Sequence, residues 1–129
     1  EKQVTLVDNT KSQLVMVDSD AIVQSLTALL ENAIKYSSSG EKVEIYTAKK
    51  RQTIALGVRD FGPGIQDDLQ EKIFDRFYRV DSARTRQDYG GHGLGLSIVR
   101  TIMQAHGSEV RLKSKPGQGS SFELILPRA

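Results

Sequence analysis

Four of the six residues from Gly90 to Gly95 are glycine, and an apolar helical pattern starts as the run ends: Gly90-Gly91-His92-Gly93-Leu94-Gly95-Leu96-Ser97-Ile98-Val99. Leu94, Ile98, Ile102 and Ala105 recur at helical spacing, so a loop stripped of side chains opens directly into a helix N-terminus. Such a junction favours anions. Unpaired N–H groups and the positive end of the helix dipole point at whatever sits there, and glycine lets a phosphate come close. A glycine linker ahead of an ordinary helix has the same local pattern, so the rest of the chain must decide.

Three familiar nucleotide loops do not fit. A dinucleotide fingerprint needs G-x-G-x-x-G after a buried strand. Here the spacing from Gly91 is G-x-G-x-G-L, with Leu96 where the third glycine belongs, behind a polar, charged segment. A phosphate loop of the G-x-x-x-x-G-K-[ST] type needs a Gly-Lys pair, and the chain has none. Asp60-Phe61-Gly62 spells the magnesium motif of the serine/threonine and tyrosine kinases, but no H-R-D or A-P-E segment accompanies it.

At 129 residues the chain suits one domain, residues 1–129, with a single modest core. Its 18 basic and 16 acidic residues give a net charge of +2, too even for a nucleic-acid or membrane surface. With no cysteine, disulfides, zinc–cysteine sites and thiol catalysis are excluded. No apolar run is long enough to span a bilayer, and no signal peptide is recognised. The start at Glu1, without methionine, reads as a domain excised from a parent that carries other segments.

In chain order, Val4 and Leu6, then Leu14, Val15 and Val17, read as two short strands joined by a turn at Asp8-Asn9 and Lys11-Ser12. Asp18-Ser19-Asp20 supplies helix caps for an amphipathic helix with Ile22, Val23, Leu26, Leu29, Leu30, Ala33 and Ile34 on its apolar side, ended by Ser37 to Gly40. Val43, Ile45 and Thr47 alternate in one strand, and Ile54, Leu56 and Val58 in a second from Gln52 to Arg59. Asp67, Asp68, Leu69, Ile73, Phe74 and Phe77 suggest a short helix, and Arg79 to Gly91 a mobile polar loop. Gly107 caps the glycine-started helix, and Val110 to Leu126 closes as a hairpin around Lys115-Pro116-Gly117-Gln118-Gly119. Mixed elements without regular βαβ alternation predict an α/β (α+β) two-layer sandwich, a mixed sheet with helices on one face.

Two polar clusters stand out. Asn32, Lys35 and Tyr36 project together from the first helix at i, i+3 and i+4. Glu31 and Lys35 also fit an ordinary surface ion pair, but an asparagine in mid-helix has poor propensity and needs a reason. Asp60 ends a strand and is followed by Gly62-Pro63-Gly64-Ile65. It suits either a pocket-facing carboxylate or a plain Asx turn.

Taken in order, these segments resemble the catalytic ATP-binding domain of sensor histidine kinases, within the superfamily of gyrase, MutL and heat-shock chaperone ATPases. Leu29-Leu30-Glu31-Asn32-Ala33-Ile34-Lys35-Tyr36-Ser37 is similar to the N box, and Asp60-Phe61-Gly62-Pro63-Gly64 to the first glycine box. Ile73-Phe74-Asp75-Arg76-Phe77-Tyr78-Arg79 is similar to the F box, and Gly91-His92-Gly93-Leu94-Gly95-Leu96 to the second glycine box. Gly119-Ser120-Ser121-Phe122 to Pro127 resembles the usual final strand. The resemblance spans nearly the whole chain and implies a Bergerat-type ATP-binding fold.

It also implies roles. Asn32 would ligate the Mg²⁺ that bridges the phosphates, a hard cation suited to an amide oxygen. Lys35 and Arg79 would neutralise phosphate charge, and Tyr36 and Tyr78 would lie beside the nucleotide. Asp60 would accept from the adenine amino group, with Gly62, Gly64 and Ile65 around the base and Ser120 reaching it through water. His92, Gly93, Leu94, Gly95 and Leu96, after Gly91, would face the phosphates, and residues 79–91 would form the ATP lid. Glu31 fits either a base for the acceptor or the partner of Lys35.

Two departures matter. Ala28 stands where the family often has a second asparagine, and where the gyrase-like branch has a water-activating glutamate; His92 stands where threonine or serine is usual. Ala28 argues against efficient hydrolysis. Neither His92 nor His106 reads as the phosphoacceptor. The resemblance therefore implies a monomeric cytoplasmic unit, using ATP and Mg²⁺, whose partners are a helical dimerisation and phosphoacceptor domain of the same kinase and a downstream response regulator. Nucleic acid and direct membrane contact are not expected. The rivals are a serine-directed kinase of the same superfamily and a docking module that only senses nucleotide.

Overall fold

The computed structural model describes residues 4–10, 15, 17–75 and 95–128. They form a five-stranded sheet in the order β1-β2-β3-β5-β4, from Thr5–Asn9 (β1), Lys42–Lys49 (β2), Thr53–Asp60 (β3), Val110–Ser114 (β4) and Ser120–Pro127 (β5). β1 runs parallel to β2, and β2–β3, β3–β5 and β4–β5 are antiparallel. Two helices, Ser19–Tyr36 (α1) and Gly95–Ala105 (α2), pack together and cover one face. This is the expected two-layer sandwich.

Local chemistry sets the element ends. Asp18 caps α1, its carboxylate accepting from the N–H groups of Asp20 at 3.1 Å and Ala21 at 3.4 Å. α2 ends on Gly107 at φ 69°, with the Ser108 N–H on the Met103 carbonyl and the Gly107 N–H on Gln104, a Schellman cap. Strand alternation places Val43, Val58, Phe122 and Leu124 under the helices, where they meet Leu29, Ala33, Val99 and Met103. Phe74 joins them edge-on to Phe122, with ring centroids 6.0 Å apart.

Several expectations change. The first strand runs on through Asp8 and Asn9, where the sequence suggests a turn, and β1–α1–β2 is a parallel βαβ unit. Of the expected second strand Val15 makes a lone antiparallel bridge to Arg128, and Leu14 lies outside the described residues. Val23 and Ile34 are exposed, because α1 turns Ser25, Leu29 and Ala33 inward instead. The inward residues of α2 are Val99 and Met103, and Ile98 and Ala105 face outward. Asp67–Leu69 and Lys72–Phe74 are two 3-10 turns, not one helix; Phe77 is outside the described residues. The His106 ring joins the end of α2 to the start of α1: its Nε2 accepts from the Asp18 N–H at 3.3 Å and its Nδ1 donates to the Ile102 carbonyl at 2.9 Å.

Candidate nucleotide site

Asp60 closes β3 with its side chain on the helix-covered face, paired in register with Val43 on one side and Ser120 on the other. It is 3% exposed. One carboxylate oxygen accepts from the Gly62 N–H at 2.9 Å, the Asx turn that the sequence allows. Burial pushes the carboxyl above its ordinary range. The N–H groups of Gly62 and Ser120 pull the other way, and the negative charge of Glu41 adds to the rise. A carboxylate placed like this gains from any further N–H donor that reaches its second oxygen.

The loop after Asp60 is fastened to the hairpin between β4 and β5. The Gly117 N–H donates to the Pro63 carbonyl at 2.6 Å, and the Ile65 N–H to Ser114 Oγ at 2.8 Å. Gln70 Nε2 donates to the carbonyls of Ile65 at 3.0 Å and Ser114 at 3.1 Å. The glycines follow from this closeness. A side chain at Gly64, at φ 76°, would strike the Lys115 carbonyl, and one at Gly119, at φ 78°, the Asp60 carbonyl. One at Gly62 would meet the carbonyl of Tyr36, so the loop after Asp60 also touches the end of α1. Phe61 is flanked by Lys42 Nζ at 5.1 Å and the Arg59 guanidinium at 4.6 Å.

The polar side of α1 forms the second part. Asn32, Lys35 and Tyr36 are half-buried, and Glu31 is exposed. Lys35 Nζ lies 5.4 Å from the centre of the Tyr36 ring. The Ser37 hydroxyl donates back to the Ala33 carbonyl at 2.8 Å and secures this last turn. Ala28 faces the start of α2, because a side chain added at Gly95 would lie 3.8 Å from the Ala28 methyl. The position where the sequence departs from the usual asparagine therefore abuts the end of the second glycine box. Arg100 of α2 pairs with Glu71 at 2.9 Å and lies over the Phe74 ring at 5.1 Å, tying α2 to the second 3-10 turn. Tyr78, Arg79, Gly91, His92, Gly93 and Leu94, and the expected lid at 79–91, lie outside the described residues. Asn32, Lys35, Tyr36, Asp60, Gly62, Gly64, Ile65, Gly95, Leu96 and Ser120 are described. The structure places them on α1, the end of β3 and its loop, the start of α2 and the start of β5.

Residues 17–129 match the family model of histidine kinase-, DNA gyrase B- and HSP90-like ATPases. The chain belongs to this family. A sensor-like histidine kinase, SenX3 of Mycolicibacterium smegmatis, is 44% identical over 113 residues, covering 88% of the chain and 29% of the relative. Among solved structures, the mycobacterial sensor histidine kinase MprB superposes with a TM-score of 0.82 at 25% identity, over 97% of this chain and 82% of that one. Full-length ShkA in complex with AMPPNP superposes at 0.80 with 27% identity, over 98% of this chain and 26% of that one. The chain thus spans under a third of the length of its SenX3 relative. No described helix is long and apolar enough to cross a membrane.

Within this ATPase-family fold, sequence reasoning missed Ser114 and Gln70. Both act on Ile65, from 49 and 5 residues away respectively. A serine in an alternating strand and a glutamine after two aspartates carry no local signal of such a role.

Proposed function

We propose that the chain binds ATP with Mg²⁺ and presents the γ-phosphoryl group to a histidine on a separate helical dimerisation and phosphoacceptor domain of the same protein, from which a response regulator takes it. The observation that carries this reading is the buried Asp60 carboxylate, held at a strand end by the N–H groups of Gly62 and Ser120 and, as a carboxylate, with lone pairs left for a further donor. The amino group of adenine is such a donor. From there, α1 leads along its half-buried polar side through Tyr36 and Lys35 to Asn32. Asn32 fits a magnesium ion that keeps waters and phosphate oxygens, since such an ion asks for only one or two protein oxygens. When bound, the ion would offset negative charge on the phosphates. Lys35 adds positive charge beside it, and the backbone N–H groups at the start of α2 face the same anion. Phosphoryl transfer asks little covalent chemistry of the protein, so positioning and neutralisation suffice.

Ala28 offers no base to activate water. The chain alone therefore binds ATP without appreciable turnover, well below about 1 per second, and does not label itself. Incubation with ATP and a histidine-bearing helical hairpin from the same protein tests the reading. An acid-labile phosphoryl bond on the hairpin supports it. An acid-stable bond points to serine, and no label points to a docking module.

A further inference from the structure

Ser114 Oγ lies at the centre of three polar contacts. It is 2.8 Å from the Ile65 nitrogen, 2.9 Å from the Gly119 carbonyl and 2.8 Å from Ser120 Oγ. A serine hydroxyl has one proton and two lone pairs. The Ile65 N–H donates to Ser114, which uses one lone pair. The Gly119 carbonyl only accepts, so it takes the Ser114 proton. One lone pair then remains on Ser114, and the contact with Ser120 is made only if Ser120 donates its own proton. Ser120 is left with accepting lone pairs and no proton to offer elsewhere. It is 5% exposed, and stands opposite Asp60 in the β3–β5 register, on the same face of the sheet.

We propose that Ser114 is a specificity-determining positioning residue: by taking the Ser120 proton, it makes Ser120 and Asp60 an edge composed only of acceptors, matched to a base with an exocyclic amino group and mismatched to one with a carbonyl there. The two N–H bonds of an adenine amino group find two acceptors, directly or through a water. A guanine carbonyl at that place meets only oxygen lone pairs. This rests on the base-pocket reading of Asp60 and extends it to a residue that touches the nucleotide only through another. The same hydroxyl holds the Ile65 amide, so the loop and the acceptor edge are set by one atom.

Displacement of a fluorescent nucleotide by ATP and by GTP tests this on the wild-type chain and on Ser114→Ala, Ser120→Ala and the double variant, with thermal unfolding as a check on folding. Freed from Ser114, the Ser120 proton turns toward the base and offers guanine a donor. Ser114→Ala should lower the ATP-to-GTP preference about five-fold, the worth of one ordinary hydrogen bond. In the Ser120→Ala background the same substitution should leave the ratio unchanged. A purely structural role would weaken both nucleotides together, and that result overturns the proposal. So does an equal drop in the ratio with Ser120 absent. If Ser114→Ala does not fold, Ser114→Cys keeps the volume while weakening both hydrogen-bonding roles, and an unchanged ratio there overturns it equally. A wild-type chain with no preference for ATP overturns the base-pocket reading itself; preference retained in Ser114→Ala but lost in Asp60→Ala overturns the Ser114 step alone.

Discussion

The two described parts of the site are built differently. The Asp60 side is a closed web: the loop from Gly62 to Ile65 is stitched to the hairpin from Ser114 to Ser120 by backbone and side-chain hydrogen bonds, with glycines where carbonyls press against the chain. The α1 side is a row of side chains along one helix, positioned by the packing of Leu29 and Ala33 against Val99 and Met103 and by the close approach of Ala28 to Gly95. A carboxylate that meets one edge of a flat base, as proposed for Asp60, gains from rigid surroundings, because a donor displaced by an ångström loses most of its hydrogen bond. Long side chains such as Lys35 reach a charge from many positions and tolerate a simpler mount. Substitutions on the two sides should therefore differ in kind.

Gly64→Ala should produce the largest effect, on folding. It places a side chain at positive φ and against a backbone carbonyl that has nowhere to go, so unfolding in urea should show a loss of about 3 kcal/mol. An unchanged midpoint would mean that the web is looser than described. Asn32→Ala should act in the opposite manner, leaving the urea midpoint nearly intact while reducing Mg²⁺-dependent ATP affinity on the order of 100-fold by calorimetry. Unaltered Mg-ATP affinity in a folded variant removes the magnesium role from Asn32.

Asp60→Ala should weaken ATP binding roughly ten-fold and narrow the gap to GTP, since it removes a hydrogen bond to a charged group. A variant that keeps the wild-type preference shows that the base is read elsewhere. The smallest effect is a matter of pH. The folded Asp60 carboxyl sits above its ordinary value of 3.8, mainly through burial, so the folded state holds its proton longer than the unfolded state. Stability from this group is present in acid and is lost as pH rises from 3.8 through the raised folded value. A neutral amide in its place suffers no such loss. Without nucleotide, Asp60→Asn should thus gain melting temperature over wild type as pH rises toward neutrality, with the difference closing toward about pH 4. A constant difference across that range rules out ionisation as its cause.

What the sequence made legible follows the same division. The Asp18 cap, the Gly107 cap and the alternation in β2, β3 and β5 are short-range chemistry, and each is readable from a few neighbouring residues. The inward phase of α2 is not. Leu96, Ile98, Val99, Ile102 and Met103 cover a wide apolar arc, so several stripes satisfy helical periodicity and only the neighbouring α1 and sheet select Val99 and Met103. The apolar spacing from Asp67 to Phe74 allows a helix, whereas the structure breaks the segment into two 3-10 turns, with Gln70 between them bound to Ile65 and Ser114. Asp60 is legible as a strand-end carboxylate, and Ser120 through the family resemblance, but Ser114, which reaches Ser120 and Ile65 from the neighbouring strand, is not.

β5, last of the strands in chain order, lies in the interior of the sheet between β3 and β4, and Leu124 on it is fully buried. On a ribosome, α1 and the β2–β3 hairpin emerge long before it. Until β5 inserts, β3 has an open edge, Asp60 lacks its neighbour Ser120, and the loop from Gly62 has no hairpin to hold. A polypeptide stalled short of Ser120 should accordingly be a chaperone client that lacks the proposed affinity for nucleotide.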